Sequence, residues 1–158
     1  MKTSNFLKYS LITVFVFLGG FAFSQKNMPS IDSYNFTNGS IIVSDDGTMS
    51  GNYSTSKQSY DATVIGVYVK ETIKIDTTSG PQIISTKNNS IASTGIVSVQ
   101  YNTENGTIKK GDLITTSATA GVGMKATKSG VIIGVALEDA VTERGLIKIR
   151  LMIQYVSL

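Results

Sequence analysis

The chain has 158 residues, a net charge of +3 and no His, Cys or Trp. Those absences exclude disulfides, imidazole or thiolate metal sites, and nucleophilic devices built on histidine or cysteine. Two of the three net charges belong to Lys2 and Lys8, so the rest of the chain is nearly neutral. The lone pair Lys109-Lys110 reads as a solvated turn, because nucleic-acid binding needs a clustered basic face.

The first element is a targeting signal. Lys2 and Lys8 precede an apolar run at 11–18 (LITVFVFL), followed by Gly19 and Gly20. Ala22-Phe23-Ser24 then places small residues three and one positions before a cut ahead of Gln25. That order predicts a secretory signal peptide over 1–24. The apolar run falls short of the roughly 20 residues a membrane span needs. The expectation is therefore an exported protein, at the cell surface, outside the cell or in the periplasm, with no membrane span after cleavage.

Residues 25–61 form a polar segment rich in Ser, Asn, Gly and Tyr. Ile41-Ile42-Val43 is its best strand core, and Asp45-Asp46-Gly47 behind it is a hairpin turn, since both central positions tolerate positive φ. A calcium loop is disfavoured there, because no Glu stands at the twelfth position. The low apolar content of 51–60 (GNYSTSKQSY) predicts a loop or linker.

From Ala62 the texture changes, and 62–158 reads as a β-domain. Residues 63–69 are β-branched and apolar, interrupted by Gly66, and 71–75 alternate like a half-buried strand. Gly80-Pro81 breaks the chain within a turn at 76–82, and 82–86 is the return strand of a hairpin arm. Residues 96–101 alternate again, and Asn105-Gly106 predicts a type I′ turn. Short strands follow at 113–114, 123–126 and 131–137, and 137–144 is a loop. In the last strand, 146–156, Ile147, Ile149, Leu151, Ile153 and Tyr155 fall on one face, the predicted core face. No helical stripe of useful length appears. The fold class is all-β: a small β-sandwich or barrel of short strands with glycine-rich turns.

Chemistry-bearing groups are sparse. With no His, a Ser or Thr nucleophile needs a Lys or carboxylate base. Thr115, Thr116, Ser117 and Thr119 crowd near Lys125 in sequence, but hydroxyl-rich loops are common between strands. Glu138 and Asp139 are adjacent, so an extended backbone sends them to opposite faces, a poor arrangement for paired carboxylates. The glycine-rich stretch 121–130 lacks the Gly-Lys-Ser/Thr ending of a phosphate loop. No catalytic, cofactor-binding or metal residue is assigned, and no cofactor is expected.

One resemblance rests on order and spacing. Gly95-Ile96-Val97-Ser98-Val99, then 103–106, 108–126, 130–138 (GVIIGVALE) and 145–156, follow the pattern TENGxIKxGDLLTTSSTPGxAMKA with a downstream VIGxALE. This resembles a C-terminal β-domain of bacterial and phage fibre-like proteins, and is similar to the peptidase G2 group of autoproteolytic domains. Ala120 departs from it, standing where the pattern has Pro. The turns that carry the motif are Asn105, Gly106, Gly111, Asp112, Gly121 and Gly123, with Gly134 inside the strand that follows. The resemblance implies a secreted, non-catalytic assembly module of a surface or fibre-like structure, with itself (a trimer by similarity) or another fibre protein as partner. An adhesive module presenting Tyr34, Phe36, Tyr53, Tyr60 and Tyr68 is the alternative reading. A self-cleaving processing domain is the third.

Overall fold

The computed structural model describes residues 30–45, 47, 49, 52–75 and 84–158, with 72–75 and 84–87 described by backbone alone. The leader expected at 1–24 and the turn expected at 76–82 lie outside the described residues. A single 3-10 turn, Ile31–Ser33, precedes the strands. These are β1 (Ile41–Ser44), β2 (Tyr53–Thr55), β3 (Val64–Ile75), β4 (Ile84–Ala92), β5 (Thr94–Asn102), β6 (Leu113–Thr116), β7 (Gly123–Lys125), β8 (Gly130–Ala136) and β9 (Arg144–Val156).

The fold is all-β and made of two sheets. The first has the order β2-β1-β3-β4, antiparallel throughout. The second is a closed barrel, β5-β7-β6-β8-β9, in which β9 returns to pair with β5 along its length. Closure leaves no free barrel edge over the paired stretches, which is how a small β-domain avoids exposing unpaired backbone. Ser93 alone separates β4 from β5, so one extended run turns from the sheet into the barrel.

The two sheets share one core. Ile41, Val43, Val64 and Val67 from the sheet pack with Val99, Ile108, Ile114, Ile133, Ile147, Ile149 and Leu151 from the barrel. Each such aliphatic, taken from water to full burial, contributes about 1.5–3 kcal/mol. Alternation sends Ile42, Ile65 and Tyr68 to the opposite face of the sheet, where Ile31, Phe36, Tyr53 and Ile91 cover them. Val64 and Val67 both face the barrel despite their odd spacing, because the β1–β3 register shifts between Ile42 and Val43. A bulge of this kind inserts one residue and resets the alternation.

Four expectations need correction in detail. The loop expected at 51–60 contains β2, whose three residues pair with β1 from Thr55 opposite Ile42 to Tyr53 opposite Ser44. The pairing partner, not local composition, makes that strand. The strands expected at 63–69 and 71–75 are one continuous β3, and of the return strand expected at 82–86 the described residues 84–86 belong to the longer β4. The Asn105-Gly106 turn is not type I′. The Gly106 N–H donates to the Thr103 carbonyl at 2.9 Å, and of residues 104–106 only Gly106, at φ +100°, has a positive φ. That is the pattern of a type I turn followed by a left-handed glycine. The core face of β9 holds for Ile147, Ile149 and Leu151, and Ile153 is half-buried against the same core, but Tyr155 is 70% exposed. The β8–β9 register shifts between Ile132 and Gly134, and the alternation on β9 ends beyond Ile153.

Candidate functional site

The motif turns lie on the barrel. Gly106, Gly111 and Gly121 have positive φ. The Gly111 N–H donates to the Ala136 carbonyl at 2.8 Å, closing the β5–β6 connection on β8. Asp112 accepts from the Lys109 N–H at 2.8 Å and pairs with Lys125 at 2.8 Å. Burial pushes the Asp112 carboxyl up, but Lys125 and the Lys109 N–H outweigh it and hold it below the usual carboxylate range. Asn105 donates to the Lys125 carbonyl at 3.2 Å, so this turn is tied to the end of β7. Gly121 sits between the sheets: its N–H donates to the Ser56 carbonyl and its carbonyl accepts from Ile41. Gly123 bridges β7 to β5 at Tyr101, and a Cβ on Gly134 would strike the Arg150 carbonyl oxygen. All seven positions thus serve turns or close strand contacts.

The hydroxyl groups near Lys125 in sequence are not near it in function. The Thr115 Oγ1 donates to the Val131 carbonyl at 2.6 Å and the Thr116 Oγ1 to the Gln58 carbonyl at 2.9 Å. The Ser117 Oγ accepts from the Thr119 N–H and from Asn102 Nδ2. Thr115, Thr116 and Ser117 are buried, while the Lys125 ammonium is held by Asp112. Glu138 accepts from the Lys148 N–H at 3.0 Å and Asp139 from the Lys110 N–H at 2.7 Å. The two carboxylates therefore brace different segments, Glu138 the strand β9 and Asp139 the turn at Lys110. No group of three or more carboxylates placed to hold a metal occurs among the described residues.

The aromatic residues divide. Tyr34 stacks on Phe36 at 5.2 Å between ring centres, with Tyr53 beside it, and Phe36 meets Tyr68 edge-on at 5.6 Å. Tyr34, Phe36 and Tyr68 line a cleft of about 360 Å³ with Asp32, Asn35, Lys70 and Asn89. Tyr60 lies elsewhere, at φ +57°, its hydroxyl accepting from the Thr127 and Lys128 N–H groups at 2.8 and 3.2 Å, with the Lys128 ammonium 5.0 Å above the ring.

Three features were not read from the sequence. The first is the junction at Asn38-Gly39, whose dipeptide is a turn signal. There Gly39 bonds both β3 and β5. The second is the arm. Beyond Lys70, β3 pairs with β4 alone, from Glu71 opposite Asn88 to Ile75 opposite Ile84. The third is an apolar set on the outer side of the β5–β9 pair: Ile96 is 67% exposed, Leu146 53% and Met152 38%. Ile96 stands opposite Arg150, Gln100 opposite Leu146 and Thr94 opposite Met152, so all project from the barrel on one face. Where β5 ends and β9 begins, this face borders a cleft of about 770 Å³. Compared with protein-family models, with curated proteins and with solved structures, the chain matches none.

Proposed function

We propose that the chain is an exported, non-catalytic structural module that assembles with copies of itself, or with another surface or fibre-like protein. The observation that carries this reading is the arm: β3 and β4 run on past Lys70 as a two-stranded ribbon, with no third strand among the described residues. A two-stranded ribbon is marginal in water on its own, and gains stability when a further surface covers it. The exposed Ile96, Leu146 and Met152 give the barrel a second contact face. Export rests on the leader-like order of residues 1–24.

The test is the solution mass of the purified protein by light scattering, with the same sample on a denaturing gel. A discrete oligomer of intact chains is expected. A monomer at high concentration overturns assembly of the chain with copies of itself and leaves only a partner of another kind, and two fragments from one chain would favour self-cleavage instead.

One observation favours the adhesive alternative. The cleft lined by Tyr34, Phe36 and Tyr68 combines aromatic rings with Asp32, Asn35 and Asn89, the residue types that hold sugars or polar side chains. Tyr68 is buried there, which gives it a packing role. Replacing Tyr34 by Ala and scoring attachment to cells or glycans separates the two readings, since assembly does not need that ring.

A further inference from the structure

We propose that the cleft between the end of β5 and the start of β9 binds a carboxylate-bearing saccharide, with Arg144 holding the carboxylate. This does not rest on the assembly reading, although Leu146 borders both surfaces. The cleft, about 770 Å³, falls within the range of about 300–1,000 Å³ typical of small-molecule sites.

Arg144 is the single charged residue of its lining. Among the described residues, its guanidinium forms no ion pair. Glu104 and Glu143 line a smaller adjoining cleft that shares Arg144, and neither pairs with it. A guanidinium stays charged across the physiological range and meets a carboxylate through two parallel N–H bonds. The neighbouring glutamates disfavour a polyanion, whose successive charges would meet them, and leave room for one carboxylate.

The polar groups around Arg144 have assigned directions. The Lys70 N–H can only donate, so the Asn38 group that meets it at 2.9 Å is Oδ1, and Nδ2 is left as a donor. The Asn38 carbonyl can only accept, so the Gln100 group at 3.1 Å is Nε2, and Oε1 is left as an acceptor. The Thr119 hydroxyl accepts from Asn102 Nδ2 at 3.2 Å and keeps its own proton to donate. One lining thus offers donor, acceptor and donor. Sugar hydroxyls, which both donate and accept, can satisfy all three. Val122 and Leu146 supply apolar surface for the C–H face of a ring. A hexuronic acid combines these features in one molecule: one carboxylate, several hydroxyls and an apolar ring face.

The experiment is an amide chemical-shift titration of the isotope-labelled protein with three probes: glucuronate, glucose, and an acetylated dialanine with a free carboxylate. The expected result is that glucuronate shifts the amides of Gln100, Thr119 and 144–146, and binds about ten- to a hundredfold more tightly than glucose, the scale of one charge-assisted pair. Arg144→Gln should bring glucuronate down to the affinity of glucose, and Gln100→Ala should weaken both sugars alike. Equal binding of glucose and glucuronate overturns the role of Arg144. Binding of the dipeptide at least as tight as that of glucuronate overturns the saccharide. Shifts confined to other parts of the barrel, or none with any probe, overturn the site.

Discussion

The N–H of Gln100 donates to the carbonyl of Gly39 at 2.9 Å, and the Gly39 N–H donates to the Tyr68 carbonyl at 2.8 Å. One residue thus joins β5 of the barrel to β3 of the sheet. Its φ is +81°, and a Cβ there would lie 2.7 Å from Leu146 Cδ2 and 2.9 Å from the Ser98 carbonyl oxygen. The leucine tip can rotate away; the backbone oxygen cannot. Gly39→Ala should cost about 2–4 kcal/mol, combining the left-handed backbone penalty with overpacking. Urea denaturation measures this, and a loss below about 0.5 kcal/mol, the size of an ordinary surface change, would remove Gly39 from its joining role.

The sequence announces the barrel better than the junction. Ile147, Ile149 and Leu151 alternate and are buried, and Ile114 and Ile133 fall where short strands are expected. Period-two patterning reports a half-buried strand wherever one face meets a core. It is silent where pairing overrides composition, as in the polar β2, and where a bulge resets the count, as on β9 beyond Ile153. Gly106, Gly111 and Gly121 are legible as turns because turn chemistry is local, whereas Gly123 and Gly134 stand inside strands. The Arg144 cleft was not: its lining comes from β5, β9, the turn before β7 and the Thr37-Asn38 stretch, and no local pattern joins them.

Acid should weaken the β6–β7 connection through Asp112. Its carboxyl is held below the usual range by Lys125 and the Lys109 N–H, against the opposing pull of burial. A carboxyl whose folded-state pKa lies below its unfolded value stabilises the fold above the unfolded pKa, and that contribution is lost as pH falls through the folded value. Stability should therefore drop on acidification through and below the ordinary carboxylate range, and Asp112→Asn should flatten that part of the curve. At neutral pH the pair is partly exposed, with the Lys125 side chain 33% and the Asp112 side chain 22% accessible, and the substitution should cost no more than about 1 kcal/mol. An unchanged acid limb in the variant would show that Asp112 does not contribute to it.

Alkali should ionise Tyr60 below the ordinary phenol range. Burial raises its phenol, but the Thr127 N–H and hydroxyl, the Lys128 N–H and the Lys128 charge lower it further, and the net direction is down. The phenolate is thus favoured in the folded chain, so its ionisation begins to stabilise the fold as pH rises through the folded value, does so fully above the unfolded phenol pKa, and adds nothing at neutral pH. In an ultraviolet titration of phenolate absorbance, Tyr60→Phe should remove absorbance that rises below the ordinary phenol range. A loss confined to the ordinary range or above it would show that the two N–H groups do not hold the phenolate.

The outer face of the β5–β9 pair can be separated from the fold that carries it. Ile96 is exposed and stands opposite Arg150. Ile96→Glu places opposite charges directly across an antiparallel pair, an arrangement that supports the strands. The monomer should keep its urea midpoint within about 0.5 kcal/mol, as exposed pairs do. An assembly that buries Ile96 loses an apolar side chain of about 1.5–3 kcal/mol and must bury a carboxylate besides. The oligomer should therefore dissociate at concentrations at least about tenfold higher than the unsubstituted protein tolerates. Urea denaturation reads the first quantity, and light scattering across a dilution series reads the second. An oligomer that withstands dilution as well as the parent would clear this face of any contact and leave the β3–β4 arm as the surface through which copies meet.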